Sequence, residues 1–526
     1  MRQLIFALDA CEWDLVRRWA AEGKLPAFRR LLDEGASGTL ATTAVQLPDT
    51  IWSCIYGGRN PGTFEKYFYV QYDARTGDLR HVHDDGFTQR PFWDILSDGG
   101  KKVGVVDLVK LPTSRRLSGF QLTNWGAHAT KAEKASIPPD LLATIESRFG
   151  YHPVGDCDKV DASPRSQLDL RRRCIAGVRL RGDVMRWLAE EHEWDVFVAG
   201  ISESHCIGHH FWHWLDPRHP RHGEGDPFGL ADSIEQVYRA IDAEMGRMID
   251  LAGDDALVMA VSGHGMGPLY HASWNLPEIL DLLGYGREPA GTAMSARVAS
   301  TNPWRILKMV LPGKLQYFIK GLLPRRLQDE ILFRWYAGRR DWKGRRAFAV
   351  PNNDSVGAIR VNVKGRDRHG VVAPDDYDRV CNEIATALGE LVDPVTGRKV
   401  IARLTRSSEE FSGKFLHGLP DLTVSWDTSF PWHAVRSPRF GTLALTKQDG
   451  RTGSHTDHGF VIVRGPGVPA GRELTGCSLY DIAPTILAAA GIAAPADMEG
   501  RPLPIFAGST VRGTSNGSAH IDGRAS

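Results

Sequence analysis

Short, continuous apolar runs recur along the chain and alternate with stretches of helical periodicity. Leu4 to Leu8, Lys102 to Asp107, Gly119 to Trp125, Trp194 to Ile201, Ala256 to Val261 and His458 to Arg464 read as strands. An unbroken apolar run marks a strand covered on both faces, as in a parallel sheet. Between these runs, Glu12 to Glu22, Pro26 to Glu34, Phe92 to Asp98, most of Pro138 to Glu191, Asp232 to Leu251 and Tyr480 to Ala490 read as helices. Pro26 suits a first helical turn and Gly35 a C-terminal cap. The segment from Leu47 to Pro61 turns into a short helix closed by Gly57 and Gly58, with Asp49 or Thr50 as its cap. Repeated strand, helix, strand order predicts an α/β fold with a mostly parallel central sheet.

The pattern changes between Ala290 and Arg346, where basic and aromatic residues mix, as in Trp304-Arg-Ile-Leu-Lys-Met-Val-Leu311. Amphipathic helices are expected there, as a cap, a structural pair or an interfacial segment. Ala347 to Val363 then reads as strands and Tyr377 to Leu391 as a helix. A catalytic unit over 1–505 with an inserted subdomain at 285–400 is the expected organisation. The Gly-, Ser- and Thr-rich tail, 506–526, is expected to be disordered.

Composition narrows the functional classes. The chain has 526 residues, 42% of them hydrophobic, enough for a large core. Its 64 basic and 63 acidic residues give a net charge of +1, so no global field favours nucleic acid or anionic membranes. The 7 cysteines are scattered without Cys-x-x-Cys pairing, which argues against a disulfide framework or a thiolate zinc site. No run of about 20 apolar residues predicts a membrane span. The first apolar run is short and ends at Asp9, unlike a signal peptide, so a cytoplasmic protein is expected.

Several residues that bear chemistry fall at the ends of these strands. Ligands of open α/β sheets bind at the carboxyl edge. Asp9 ends the first run, as a hard ligand or a helix cap. Gly263 and Gly265 flank His264 after Ala256 to Val261. His205 and His209 follow Trp194 to Ile201 four residues apart, a spacing that puts both on one helix face and suits two ligands of one ion. Core histidines at that spacing are the bland alternative, since His210 and His213 adjoin them. Thr50 is a hydroxyl at a helix start, as a nucleophile or an ordinary cap. His455 lies in a polar loop before the last strand, as a further ligand or a plain loop residue.

With these residues in place, the sequence resembles the alkaline phosphatase superfamily, in particular its type I phosphodiesterase/nucleotide pyrophosphatase branch. The likeness is carried by Ile5-Phe-Ala-Leu-Asp9 with Leu25-Pro-Ala-Phe-Arg-Arg-Leu-Leu-Asp-Glu-Gly35, Pro48-Asp-Thr-Ile-Trp52, Gly58-Arg-Asn-Pro61, Glu203 to His213, Ser262-Gly-His-Gly265 and Gly453-Ser-His455. Tyr480-Asp-Ile-Ala-Pro-Thr-Ile-Leu487 and Asp497-Met-Glu-Gly-Arg-Pro-Leu503 add to it. The resemblance implies a three-layer α/β sandwich with a helical insertion, one or two divalent metal ions, commonly zinc, and a small phosphate ester as substrate. It assigns Asp9, Thr50 and His264 to a metal on the nucleophile side, and His205, His209 and His455 to a second. It implies in-line attack by Thr50 and a phospho-enzyme intermediate.

Three positions depart from the family pattern. Position 263 is Gly where the family has Asp, and His205 stands where the family has Asp. Thr50 lies eight residues before Gly58 instead of ten, with Ser53 the next hydroxyl. The Gly263 change leaves open a single metal, a substitute carboxylate from Glu203, altered metal preference or lost catalysis. A metal-dependent phosphodiesterase is the reading of the whole. Sulfate-ester or phosphonate hydrolysis, phosphoryl transfer and a metal-binding pseudoenzyme are its rivals.

Overall fold

The apolar runs assemble side by side into one nine-stranded sheet. Its order is Arg472–Ser478, Ala36–Ala41, Gly459–Arg464, Leu257–Ser262, Gln3–Leu8, Val196–Ile201, Val103–Val106, Gly119–Thr123, Ala135–Ile137. The computed structural model describes all residues except 83–88, 111–112, 115, 127–132, 156, 158–162, 224, 227, 271–274, 287–341, 354–355, 446–449 and 507–526. Most of the basic, aromatic block from 290 to 346 and the tail from 507 therefore lie outside the described residues.

The five strands from Leu257–Ser262 to Gly119–Thr123 run parallel. The last apolar run, Gly459–Arg464, is antiparallel to both of its neighbours. Ala135–Ile137 is antiparallel at the far edge. The sheet is thus mostly parallel, as expected. Leu4, Phe6 and Leu8 pack into one apolar cluster with Trp13, Trp19, Phe28 and Met245. Ile5 and Ala7 pack into another with Ile51, Ile55, Trp93 and Ile486. The first strand therefore buries alternate side chains on opposite faces, each covered by helices, at about 1.5–3 kcal/mol per large apolar side chain.

A separate four-stranded antiparallel sheet joins Ala347–Ala349, Val356–Val361, Leu422–Trp426 and Ile401–Arg406. Helices Leu276–Leu282 and Tyr377–Gly389 pack against it. The strands expected within 347–363 are there. The strand Ile401–Arg406 was not legible, because Arg403 and Arg406 break up its apolar signal. Among the described residues no helix is long and apolar enough to cross a membrane.

One expected cap does not form. Helix Ile51–Gly57 follows a 3₁₀ turn over Pro48–Thr50, and the Thr50 side chain makes no capping hydrogen bond. Its hydroxyl donates instead to the Leu47 carbonyl at 2.7 Å. Asp49 is taken by the Lys110 ammonium, also at 2.7 Å.

Beneath the carboxyl edge lies a closed ion network. Arg181, from the long helix Pro164–Glu191, is 1% exposed. Its Nη1 donates to Asp107 at 2.6 Å, and its Nε and Nη2 donate to Glu203 Oε1 at 3.2 and 3.1 Å. His152 Nε2 lies 2.9 Å from the same Glu203 oxygen. Asp107 also accepts from the backbone N–H groups of Trp125 and Gly126. Burial alone would push the Glu203 carboxyl up, but Arg181 and His152 outweigh it and hold it at about 2. Glu203 is therefore an anion whose Oε1 is occupied by Arg181 and His152 and whose Oε2 accepts from Ser202 N–H.

Arg181→Met should destabilise the chain by about 3–5 kcal/mol, because two buried carboxylates lose their partner. Urea denaturation reads this directly, and a loss under about 1 kcal/mol would show that water already reaches the network.

Candidate active site

Parallel strands deliver their carboxyl ends to one edge. Asp9 ends Gln3–Leu8, and its N–H donates to the Ile201 carbonyl at 2.9 Å, tying it to the neighbouring strand end. Ala10 turns the chain away in the left-handed region, at φ 52°. The Ser204 hydroxyl donates to the Asp9 carbonyl at 2.6 Å. Ser262 Oγ lies 2.8 Å from the carbonyls of Leu8 and His264 and accepts from Cys11 N–H. These short links fix Asp9, His264 and the start of helix Glu203–Leu215 relative to one another.

His205 and His209 sit one turn apart on that helix, as their spacing predicts, with Nε2 atoms 3.1 Å apart. His455 comes from strand Gly453–Thr456, which pairs antiparallel with Gly265–Pro268 and sets His455 opposite Met266. Its ring centroid lies 5.1 Å from both His205 and His209 and 4.4 Å from His264. Ligand atoms of His205, His209 and His455 all fall within 4.8 Å of one another. His209 Nδ1 lies 2.7 Å from the Gly453 carbonyl. A carbonyl only accepts, so Nδ1 carries the proton and Nε2 presents its lone pair to the cluster, the arrangement of a metal-bound histidine. Both ring nitrogens of His455 are buried without a hydrogen-bond partner. Burial is costly for such atoms unless something binds them. The three-histidine set fits a zinc-like ion with neutral ligands.

The other half of the centre is less complete. His264 Nε2 lies 3.7 Å from Asp9 Oδ1, and neither of its ring nitrogens has a hydrogen bond. Trp52 Nε1 donates to the same Asp9 oxygen at 3.0 Å. Thr50 is buried, and Thr43 Oγ1 lies 3.0 Å from its hydroxyl. Since Thr50 donates to Leu47, Thr43 is the donor of that pair. At position 263 a Cβ would stand 2.3 Å from Ile51 Cγ2 and 3.1 Å from Ile55 Cδ1. Apolar side chains of helix Ile51–Gly57 fill the space a carboxylate would need. Ser53 lies in the same helix, half-buried.

Sequence reasoning missed Trp52 and Lys110. Trp52 follows Thr50 by two residues inside a motif already singled out. Lys110 follows the strand Val103–Val106 at the same edge as Asp9 and His205. Glu12 and His458 were also missed. They pair at 2.8 Å beside a cavity of about 360 Å³ that His455, Trp212, Arg218 and Trp426 help to line. Cys157 and Cys206 lie within 4.8 Å of a His205 ligand atom, but the hydrogen bond to Cys157, and then burial, push the Cys206 thiol well up, away from the thiolate a metal needs.

Burial pulls His264 down to about 4; Asp9 opposes this and Lys110 adds to it. Burial, followed by His264, His209 and Lys110, likewise pulls His455 well down. Both are neutral at pH 7, the form that binds metal. A histidine whose folded value is depressed contributes stability above its unfolded value of about 6.5, and loses it as pH falls toward the folded value. Chelator-treated protein should therefore weaken between pH 6.5 and about 4, by about 1.4 kcal/mol per pH unit for each such ring. Urea denaturation across this range should show His264→Gln with a shallower slope. A flat wild-type profile would mean that water reaches the rings.

Residues 3–459 match the family described as Type I phosphodiesterase / nucleotide pyrophosphatase. Among solved structures, phosphonoacetate hydrolase from Sinorhizobium meliloti 1021 in complex with phosphonoformate is 14% identical, with a TM-score of 0.48 and coverage of 94% of this chain and 96% of that chain. Murine and human ectonucleotide pyrophosphatase / phosphodiesterase 5 are 10% and 12% identical, each with a TM-score of 0.45 and the same coverage. No curated protein matches the chain. The family match spans most of the sequence, and the chain belongs to the type I phosphodiesterase / nucleotide pyrophosphatase family.

Proposed function

We propose that the protein is a metal-dependent hydrolase of small phosphate esters, with diesters preferred to monoesters and zinc as the metal. The observation that carries this reading is the buried cluster of His205, His209 and His455, with the His209 tautomer set by the Gly453 carbonyl. A bound divalent ion would supply Lewis acidity, lowering the pKa of a nearby hydroxyl and stabilising charge on phosphoryl oxygens. Helices on both faces of the sheet support the alkaline-phosphatase-like layering implied by the resemblance, with residues 1–505 as the catalytic unit; the insertion expected at 285–400 runs further, because Ile401–Arg406 and Leu422–Trp426 belong to its four-stranded sheet.

Thr50 is the proposed nucleophile. Its Oγ1 forms a bond to phosphorus in line with the departing ester oxygen, which leaves with the P–O electron pair. Water then cleaves the phosphothreonine. The Leu47 carbonyl accepts from the hydroxyl beforehand, the proton passes through water to the departing ester oxygen, and the Thr43 O–H is placed to stabilise Thr50 Oγ1 as that proton leaves. Asp9 and His264 flank the site, with Asp9 fixed by Trp52. The cavity beside His455 has room for a small organic leaving group. A catalytically silent metal-binding protein is the second reading, favoured by the closed position at Gly263.

Hydrolysis of bis(p-nitrophenyl) phosphate and p-nitrophenyl phosphate, with and without chelator, separates the two. Activity that a chelator abolishes and zinc restores is expected, faster on the diester. Bound metal without turnover on either ester would establish the silent reading. Thr50→Ala should lower kcat by roughly a thousandfold or more while leaving metal content unchanged. Retained turnover would move the nucleophile to Ser53 or to water.

A further inference from the structure

We propose that this chain works with one metal ion, held by His205, His209 and His455, and that the Lys110 ammonium takes the place of the second ion implied by the family resemblance. The inference rests on the hydrolase reading above and deepens it.

The second ligand set does not close. Asp9 Oδ1 and His264 Nε2 lie 3.7 Å apart, the Thr50 hydroxyl is turned to the Leu47 carbonyl, and one carboxylate is lacking. The residue that would complete the set, position 263, has no side chain. Nor does the fold leave room for one, since Ile51 Cγ2 stands 2.3 Å from where its Cβ would be. The loss is built into the packing of the helix that follows Thr50.

A fixed cation is present instead. Lys110 adopts a left-handed conformation, φ 55°, in the loop after Val103–Val106. The Tyr56 hydroxyl donates to the Val109 carbonyl at 2.8 Å and ties that loop to helix Ile51–Gly57. The Lys110 Nζ lies 2.7 Å from Asp49 Oδ1, on the residue directly before Thr50. An ammonium has three donors. Asp49 takes one, and the others are available to a phosphoryl oxygen beside Thr50, where negative charge builds up in the transition state.

Charge balance points the same way. In the family pattern, two divalent ions face three carboxylates, leaving a single excess positive charge. Here one divalent ion and Lys110 face Asp9 and Asp49, which leaves the same excess. A second ion would leave three on the same count, a costly excess in a buried site.

The test is metal stoichiometry of the full chain, saturated with zinc, desalted and analysed for metal. One equivalent per chain is expected, lost in His209→Ala and kept in Asp9→Asn. Lys110→Met should also keep one equivalent, which reports an intact centre, while its affinity for orthovanadate falls by about tenfold or more. Lys110→Arg should recover part of that affinity. Two equivalents in the wild type, with one lost in Asp9→Asn, would overturn the proposal while leaving the hydrolase reading standing. Unchanged vanadate affinity in Lys110→Met would also overturn it. No bound metal and no hydrolysis would sink the hydrolase reading itself.

Discussion

A single buried guanidinium underlies the geometry of this site. Arg181 reaches Asp107 after one strand, the Gly126 carbonyl after the next, and Glu203 at the start of the helix that carries His205 and His209. Burying these charges is expensive, and their mutual attraction repays the cost only when every donor and acceptor is matched. Here His152, two backbone N–H groups and a carbonyl complete the matching. Any shift of one strand end relative to the others would strand a charge in the core. The network thus converts a loose requirement, that three loops meet at one edge, into a tight one. The loop carrying Lys110 and the helix carrying His205 and His209 are both anchored to it.

The residues legible in the sequence share a physical reason. Asp9, His205 and His264 each follow an unbroken apolar run, and a parallel sheet must deliver such positions to one edge. His205 and His209 added the helical spacing that puts two rings on one face. What was not legible depended on tertiary contact. Glu203 was weighed as a metal ligand because it neighbours His205. Its partners, Arg181 and His152, come from segments whose only sequence signal was a charge-rich helical stretch. Lys110 sits in a loop of ordinary composition, and only folding brings it beside Asp49. The direction of Gly459–Arg464 was equally hidden, since an apolar run buried on both faces reads the same whether its neighbours are parallel or antiparallel.

Neutrality is the theme of the histidine cluster. Dehydration disfavours the charged imidazole, and Lys110 pushes in the same direction, with only Asp9 opposing at His264. Four rings in contact could not all carry protons without strong repulsion. The cluster is therefore held in its ligand form by its surroundings, before any ion arrives. A three-histidine set also differs in kind from one containing a carboxylate. It leaves the full charge of the ion to act on whatever binds in the open position, as neutral ligands do in other zinc sites.

The departures at position 263 and in the Thr50 segment meet at one residue. Ile51 follows Thr50, and its side chain fills the space beside Gly263. An aspartate at 263 and an isoleucine at 51 could not both fit without moving the helix, and the helix is fixed at Trp52 by Asp9 and at Tyr56 by Val109. Loss of the carboxylate is thus not an isolated deletion that a single substitution would reverse. Restoring Asp at 263 alone would drive a charged group against two isoleucines. The helix packs over bare backbone at position 263, with Asp49 and Lys110 paired at its start. The same packing keeps the Thr50 hydroxyl against Leu47 and Thr43. The environment of Thr50 and the bare backbone at 263 are two consequences of one local packing arrangement.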